Sequence, residues 1–152
     1  MCRQILGAVE TTPLGGQRPR YLPKPKALRG SRAAGIGYER KVGRLLSRLW
    51  PDETFSGHWF EFEDAYGRGC CQPDHFVVLD GQVLLVECKL TENPTAWEQI
   101  RGLYRPVLAA EFGLPVTGVQ ACKHLKRSRC PIVDVREALK IPGGDFLWHY
   151  LG

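Results

Sequence analysis

The chain has 152 residues, 43% of them hydrophobic and 24% charged, with 21 Lys and Arg against 16 Asp and Glu for a net charge of +5. Those proportions suit one globular domain that buries a full core without staples, and they exclude a disordered or disulfide-scaffolded chain. No apolar stretch is long enough for a membrane span, and the first residues lack the apolar segment of a secretory leader, so no membrane role is expected. The excess of cations favours an anionic partner. Six cysteines (2, 70, 71, 88, 122 and 130) show no disulfide-framework spacing, which points to reduced thiols and a cytoplasmic location. Zinc ligands drawn from Cys70, Cys71, Cys122, His124 and Cys130 lack the paired C-x₂-C spacing of zinc sites.

Residues 1–33 are rich in Pro, Gly and Arg and carry Arg3, Arg18, Arg20, Lys24, Lys26, Arg29 and Arg32 against Glu10 alone. Little periodicity survives the prolines, so this segment reads as an extended or flexible basic arm. It neutralises phosphates, solubilises the chain or covers a sheet edge, roles that do not exclude one another, and residues 34–152 form the single domain behind it. Gly35–Trp50 is the first helix: Tyr38, Val42, Leu45, Leu46, Leu49 and Trp50 form one apolar stripe that Pro51 ends. Glu39 lies on the shoulder of that stripe, among Arg40, Lys41, Arg44 and Arg48. Periodicity alone favours a surface pairing with arginine for it.

Phe55–Glu63 reads as a strand, and Asp64–Gln72 as a glycine-containing loop. Phe76–Leu79 and Val83–Val86 are apolar runs separated by Asp80-Gly81, the sequence of a two-residue type I′ hairpin turn. That turn fixes the register. Leu79 faces Gln82, Phe76 faces Leu85, and Asp74 falls opposite Glu87. Side chains alternate along a strand, so Glu87 and Lys89 share a face. Phe76, Val78, Val83 and Leu85 form one apolar set and Val77, Leu79, Leu84 and Val86 the other, so the hairpin is covered on both sides. Two carboxylates opposite each other at the mouth of a core are unfavourable unless neutralised. A hard divalent cation does this, since Mg²⁺ is held by one or two carboxylates with waters and phosphate.

Asn93-Pro94 opens a second helix with Asn as N-cap. Trp97, Ile100, Leu103, Tyr104, Val107, Leu108 and Phe112 make its buried stripe, and Gly113 closes it. Pro106 lies inside this helix, where its ring meets the carbonyl of Gly102, so a kink or a break is expected. Pro115–Cys122 is a further strand, followed by the basic segment Lys123–Arg129. Asp134 and Glu137 form a capping box for a short helix, and Asp145–Leu151 is a last strand or docking segment. Trp59, Trp148 and Tyr150 are candidates for exposed aromatics at a dimer face. The order is αβββαβ, a mixed central sheet flanked by helices.

Pro73-Asp74, twelve intervening residues, and Glu87-Cys88-Lys89 resemble the signature of the PD-(D/E)xK nuclease superfamily, whose restriction-endonuclease-like core has the same αβββαβ order. Within it the chain is most similar to archaeal-type Holliday junction resolvases, whose Gly-x-x-x-Glu-Arg helix pattern is matched through Gly35 to Arg40. The resemblance implies Mg²⁺, replaceable by Mn²⁺, held by Asp74, Glu87 and the carbonyl of Cys88. Glu39 would hold a second metal or a coordinated water. Lys89 would orient or help deprotonate the attacking water, and Ser56 and Gln99 occupy positions that are functional in such enzymes. The implied protein is a homodimer nicking a four-way DNA junction symmetrically, with Arg29, Arg32, Arg40, Lys123, Lys126, Arg127 and Arg129 on phosphates. Another nuclease of this superfamily, acting on duplex or flap DNA, and a non-catalytic DNA-binding module are the alternatives. The acidic run Glu61–Asp64 stands where a resolvase presents basic residues.

Overall fold

The computed structural model describes residues 2–23, 31–126 and 129–152, with only the backbone at Ser31. Arg29 and Arg127 lie outside the described residues. The chain is α/β, with a mixed five-stranded sheet and a separate three-stranded antiparallel one. Its elements are β1 (Glu10–Gly15), α1 (Ser31–Leu49), β2 (Thr54–Ser56), β3 (Trp59–Asp64), β4 (Gly67–Cys71), β5 (His75–Leu79) and β6 (Gln82–Thr91). There follow α2 (Pro94–Gln99), a π-helical turn (Ile100–Tyr104), α3 (Arg105–Phe112), β7 (Val116–His124), α4 (Val135–Ala138) and β8 (Asp145–His149). The large sheet runs β2-β5-β6-β7-β8. Its first three strands pair antiparallel and its last three parallel.

The β5–β6 hairpin forms as its turn dictates. Asp80 and Gly81 both have positive φ, 53° and 72°, and Leu79 pairs with Gln82 and Phe76 with Leu85. Alternation then sorts the side chains into two cores. Val77, Leu84 and Val86 pack with Tyr38, Val42 and Leu46 of α1. Phe76, Val83 and Leu85 pack with Ile100, Val107 and Leu108, and with Phe60 and Phe62 of β3. The apolar stripe of α1 faces the sheet as its periodicity demands, and the helix begins at Ser31 rather than Gly35. Thr54 closes its C-terminus, its hydroxyl donating to the carbonyls of Leu46 and Trp50.

Several expectations are corrected. Phe55–Glu63 is two strands in two different sheets, because Gly57 turns the chain at φ 66°. The glycine-containing segment before the hairpin is strand β4, not a loop. Its Gly69 pairs with Phe62, and the phenyl ring fills the space of a side chain, 2.6 Å from where a Cβ would sit. Pro106 does not break its helix, which runs on from Pro94 to Phe112 through a π-helical turn. The ladder widens into the π turn, with the Arg105 N–H donating to Ile100 O, and the Gly102 carbonyl accepts from the Ile5 N–H at 2.7 Å. Trp148 is not exposed: it is buried against α1 and stacks on Tyr150 at 5.0 Å, because β8 is the fifth strand of the sheet and this face of it is covered. Trp59 lies under the Arg18 guanidinium at 5.3 Å.

Residues 2–15 are part of the fold. β1 pairs antiparallel with β3. Arg3 donates to both carboxylate oxygens of Asp64, at 3.0 and 2.7 Å, and to the Gly67 carbonyl. The backbone N–H groups of Leu6 and Tyr66 also donate to Asp64, and together these partners hold its carboxyl well below the usual range. The end of the acidic run is thus an anchor for the N-terminal strap. At the other end of the chain, Asp134 caps α4 through the Arg136 N–H, while Glu137 turns to Lys140 instead of completing a capping box. No disulfide joins the six cysteines. Among the described residues no helix is long and apolar enough to cross a membrane.

Candidate active site

The I′ turn sets the register of the hairpin, and the same register carries on past its paired residues to Asp74 and Glu87. The Asp74 N–H donates to Glu87 Oε1 at 2.8 Å, and the Cys88 N–H donates to Asp74 Oδ2 at 2.8 Å. Each carboxylate therefore holds a backbone donor of the opposite strand. Glu87 is 2% exposed. Burial pushes its carboxyl well above the usual range, and the charge of Asp74 pushes it further. Asp74 is raised by burial as well, offset by the Cys88 N–H, by Lys89 and by a hydrogen bond from Glu87. The pair therefore holds both carboxyls above their ordinary range, Glu87 the more strongly of the two.

Helix α1 brings Glu39 to the same place. Glu39 lines a cleft of about 330 Å³ with Arg32, Asp74, Cys88 and Lys89. Burial first, then the charge of Asp74, raises its carboxyl to about 7 against the pull of Arg40 and Lys89. The shoulder position that periodicity assigns to a surface glutamate is here turned toward the sheet. The Cys88 side chain points to the α1 face, and burial pushes its thiol well above the usual value. Lys89, two residues beyond Glu87, shares its face.

Ser56 and Gln99 occupy different surroundings. The Ser56 hydroxyl is 2.6 Å from His75 Nδ1, and His75 Nε2 is 2.8 Å from the Glu39 carbonyl. A carbonyl can only accept, so Nε2 carries the hydrogen, Nδ1 is bare, and Ser56 donates to it. Gln99 ends α2, and its buried Oε1 has no hydrogen-bond partner among the described residues. The start of that helix is fixed from β7: Gln120 accepts from the Asn93 N–H and donates to the Asn93 carbonyl.

The basic residues divide. Arg32 lines the cleft that contains Asp74. Arg40 lines a second cleft on the far side of Glu39. Lys89 pairs with Cys122 in the parallel β6–β7 ladder, so Lys123 and Lys126 follow at the same end of the sheet as the carboxylates. The Lys126 backbone is held there by Glu92. Arg129 is exposed beyond them. Sequence reasoning missed His75, Arg44 and Arg48. The strand alternation that puts Asp74 on one face puts His75 on the other, and nothing local says what lies above it. Tyr104 belongs to the buried stripe of its helix, and the charges of Glu87 and Asp74 add to burial in raising its phenol.

Among the described residues no three His, Cys, Asp or Glu groups stand together closely enough to hold an ion. Asp74 and Glu87 by themselves meet the smaller demand of Mg²⁺, which takes one or two carboxylates and completes its shell with water and phosphate. Burial raises both carboxyls, the charge of Asp74 adds to the rise at Glu87, and a divalent ion in reach of both would favour their ionised forms. Comparison with known proteins adds no relative: no family model matches the chain, and neither the curated proteins nor the solved structures give a match.

Proposed function

We propose that this protein is a Mg²⁺-dependent DNA endonuclease of the PD-(D/E)xK type, with a restriction-endonuclease-like core, acting in the cytoplasm as a homodimer on four-way junctions. The observation that carries the reading is the mutual clasp of Asp74 and Glu87 across the hairpin, with Lys89 and Glu39 beside it. A buried carboxylate pair costs stability in the free protein, and that cost is met by a cation in the working one.

Bound at this pair, Mg²⁺ or Mn²⁺ supplies Lewis-acid polarisation of the phosphodiester and a more acidic water. Asp74 and Glu87 hold the ion, with the Cys88 carbonyl as a third oxygen donor. The Lys89 ammonium steadies the charge that grows on the phosphate oxygens. Glu39, in the same cleft as Asp74, would hold a second ion or a coordinated water. Arg32, at the rim of the same cleft, meets a phosphate.

The test is cleavage of an end-labelled mobile four-way junction beside linear duplex, single strand and a flap, in Mg²⁺, in Mn²⁺ and in chelator. The expected result is junction cutting in either metal and none in chelator. Asp74→Asn should abolish cutting while junction affinity stays within about threefold of wild type. Cleavage by Asp74→Asn, or in chelator, would refute the assignment. Equal cutting of linear duplex would leave the chemistry and overturn the junction selectivity.

A further inference from the structure

The second cleft beside Glu39 has a volume of about 690 Å³ and lies between α1 and β2, lined among others by Arg40, Arg44, Arg48, Ser56 and His75. The three arginines are four residues apart, so they form one stripe along the helix. Each is exposed. Arg40 faces Glu39 electrostatically, whereas Arg44 and Arg48 have no carboxylate partner among the described residues. Other arginines of the fold do have one: Arg3, Arg68, Arg101, Arg105 and Arg136 each pair with an Asp or Glu.

The floor of this cleft is built and electrically neutral. His75 is 3% exposed and sits directly under Gly43, where a Cβ would lie 2.6 Å from its Cε1. Its two nitrogens are committed to the Glu39 carbonyl and to the Ser56 hydroxyl, so the serine hydrogen points inward and offers an anion nothing. Recognition falls to the guanidinium groups above. A stripe from Arg40 to Arg48 is about 12 Å long, and a nucleic-acid strand rises about 3.4 Å per nucleotide. Three cations in that span fit the phosphates of three or four successive nucleotides better than a single small anion.

We propose that the α1 cleft is a phosphate subsite for the strand cut at the Asp74–Glu87 pair, seating the backbone a few nucleotides from the scissile phosphate. Glu39 is the wall common to both clefts, so a strand leaving one enters the other. The subsite rests on the nuclease reading and adds to it the direction in which the strand crosses the protein.

The experiment is junction binding by the full chain in chelator, followed by fluorescence anisotropy over a salt series. For Arg44→Ala/Arg48→Ala the expected slope of log K against log salt is shallower by about 1 to 2, since each phosphate contact contributes about 0.9. Affinity at 0.1 M salt should fall about tenfold. Arg44→Lys/Arg48→Lys should keep the wild-type slope, because the charge remains, and Arg68→Ala, a cation on the small sheet, should not change it. An unchanged slope in the double alanine variant overturns the subsite, as does an equal loss in Arg68→Ala, which would make the effect one of net charge. Asp74→Asn, run in parallel, keeps the two readings apart. Wild-type cutting that Asp74→Asn abolishes, with the arginine variants binding normally, removes the subsite alone. A wild-type chain that neither cuts nor binds junctions removes both.

Discussion

Replacing Gly43 by alanine sets helix propensity against the buried imidazole beneath the helix. In a helix interior the substitution is worth about 1 kcal/mol in favour of alanine. Here the new methyl would lie 2.6 Å from His75 Cε1 and 3.2 Å from Nδ1, too close for either atom to stay. The imidazole has two ways to respond. It can remain and strain the helix outward, an overpacking cost of about 1–3 kcal/mol. Or it can swing away and lose its bonds to Ser56 and to the Glu39 carbonyl, about 1 kcal/mol each and more if a buried nitrogen is left unpaired. The cheaper route costs about 1–3 kcal/mol, so after the propensity gain the net loss is up to about 2 kcal/mol. Urea denaturation at pH 7 measures it as a lower midpoint with an unchanged m-value. In a His75→Ala background the obstruction is gone, and the same substitution should be neutral or stabilising by up to about 1 kcal/mol. A more stable Gly43→Ala single variant, or additivity in the cycle, would refute the packing described for this helix.

Two further outcomes follow from the same geometry. Glu39 is raised from 4.5 to about 7, and Glu87 is raised well above 4.5. Across that window the folded chain binds more protons than the unfolded one, so these groups make stability fall as pH rises from about 4.5 through about 7. In chelator, Glu87→Gln should therefore lose less stability between pH 5.5 and pH 8 than wild type. Mg²⁺ should raise the wild-type Tm at pH 8 and leave that of Glu87→Gln unmoved; identical pH profiles for the two proteins would contradict the pair. Arg3→Ala removes the partner of Asp64, and amide exchange at Ile5 and Leu6 should quicken at least tenfold while β5 and β6 stay protected. Unchanged protection would mean that the strap is held by something other than this ion pair.

How much of this is readable in the sequence depends on how far apart the partners lie. Asp80-Gly81 is a local instruction, so the hairpin, its register and the meeting of Asp74 with Glu87 follow from a dozen residues. The stripe of α1 and the Asn93 cap are equally local. The small sheet is not. The glycines of β4 look like loop residues until the Phe62 ring is seen above Gly69, and Asp64 looks misplaced until Arg3 arrives from 61 positions away. Deleting residues 1–33, an obvious test of a flexible arm, would remove β1 and the start of α1 along with any phosphate contacts. The Ser56–His75 contact joins β2 to β5, and its ceiling is a glycine on α1. No periodicity announces such a juxtaposition, and so the cleft with Arg44 and Arg48 escapes a reading by elements. The π turn has the same origin: Pro106 states which carbonyl loses its donor, but Ile5, which replaces it, lies a hundred residues away.

That strap sets an order of events during synthesis. Ile5 bonds Gly102, and the Thr11 hydroxyl donates to Glu111 at 2.5 Å. At about 5–20 residues per second, residues 3–11 emerge roughly 5–20 s before the helix that receives them. β1 can pair with β3 in that interval, but its contact with Glu111 cannot form. The apolar side chains of Ile5 and Val9, which pack against the second core, stay uncovered for the same time. A nascent chain halted before Glu111 would thus carry a completed hairpin with Ile5 and Val9 still uncovered, and the amino-terminal strap can dock fully only once α3 has been made.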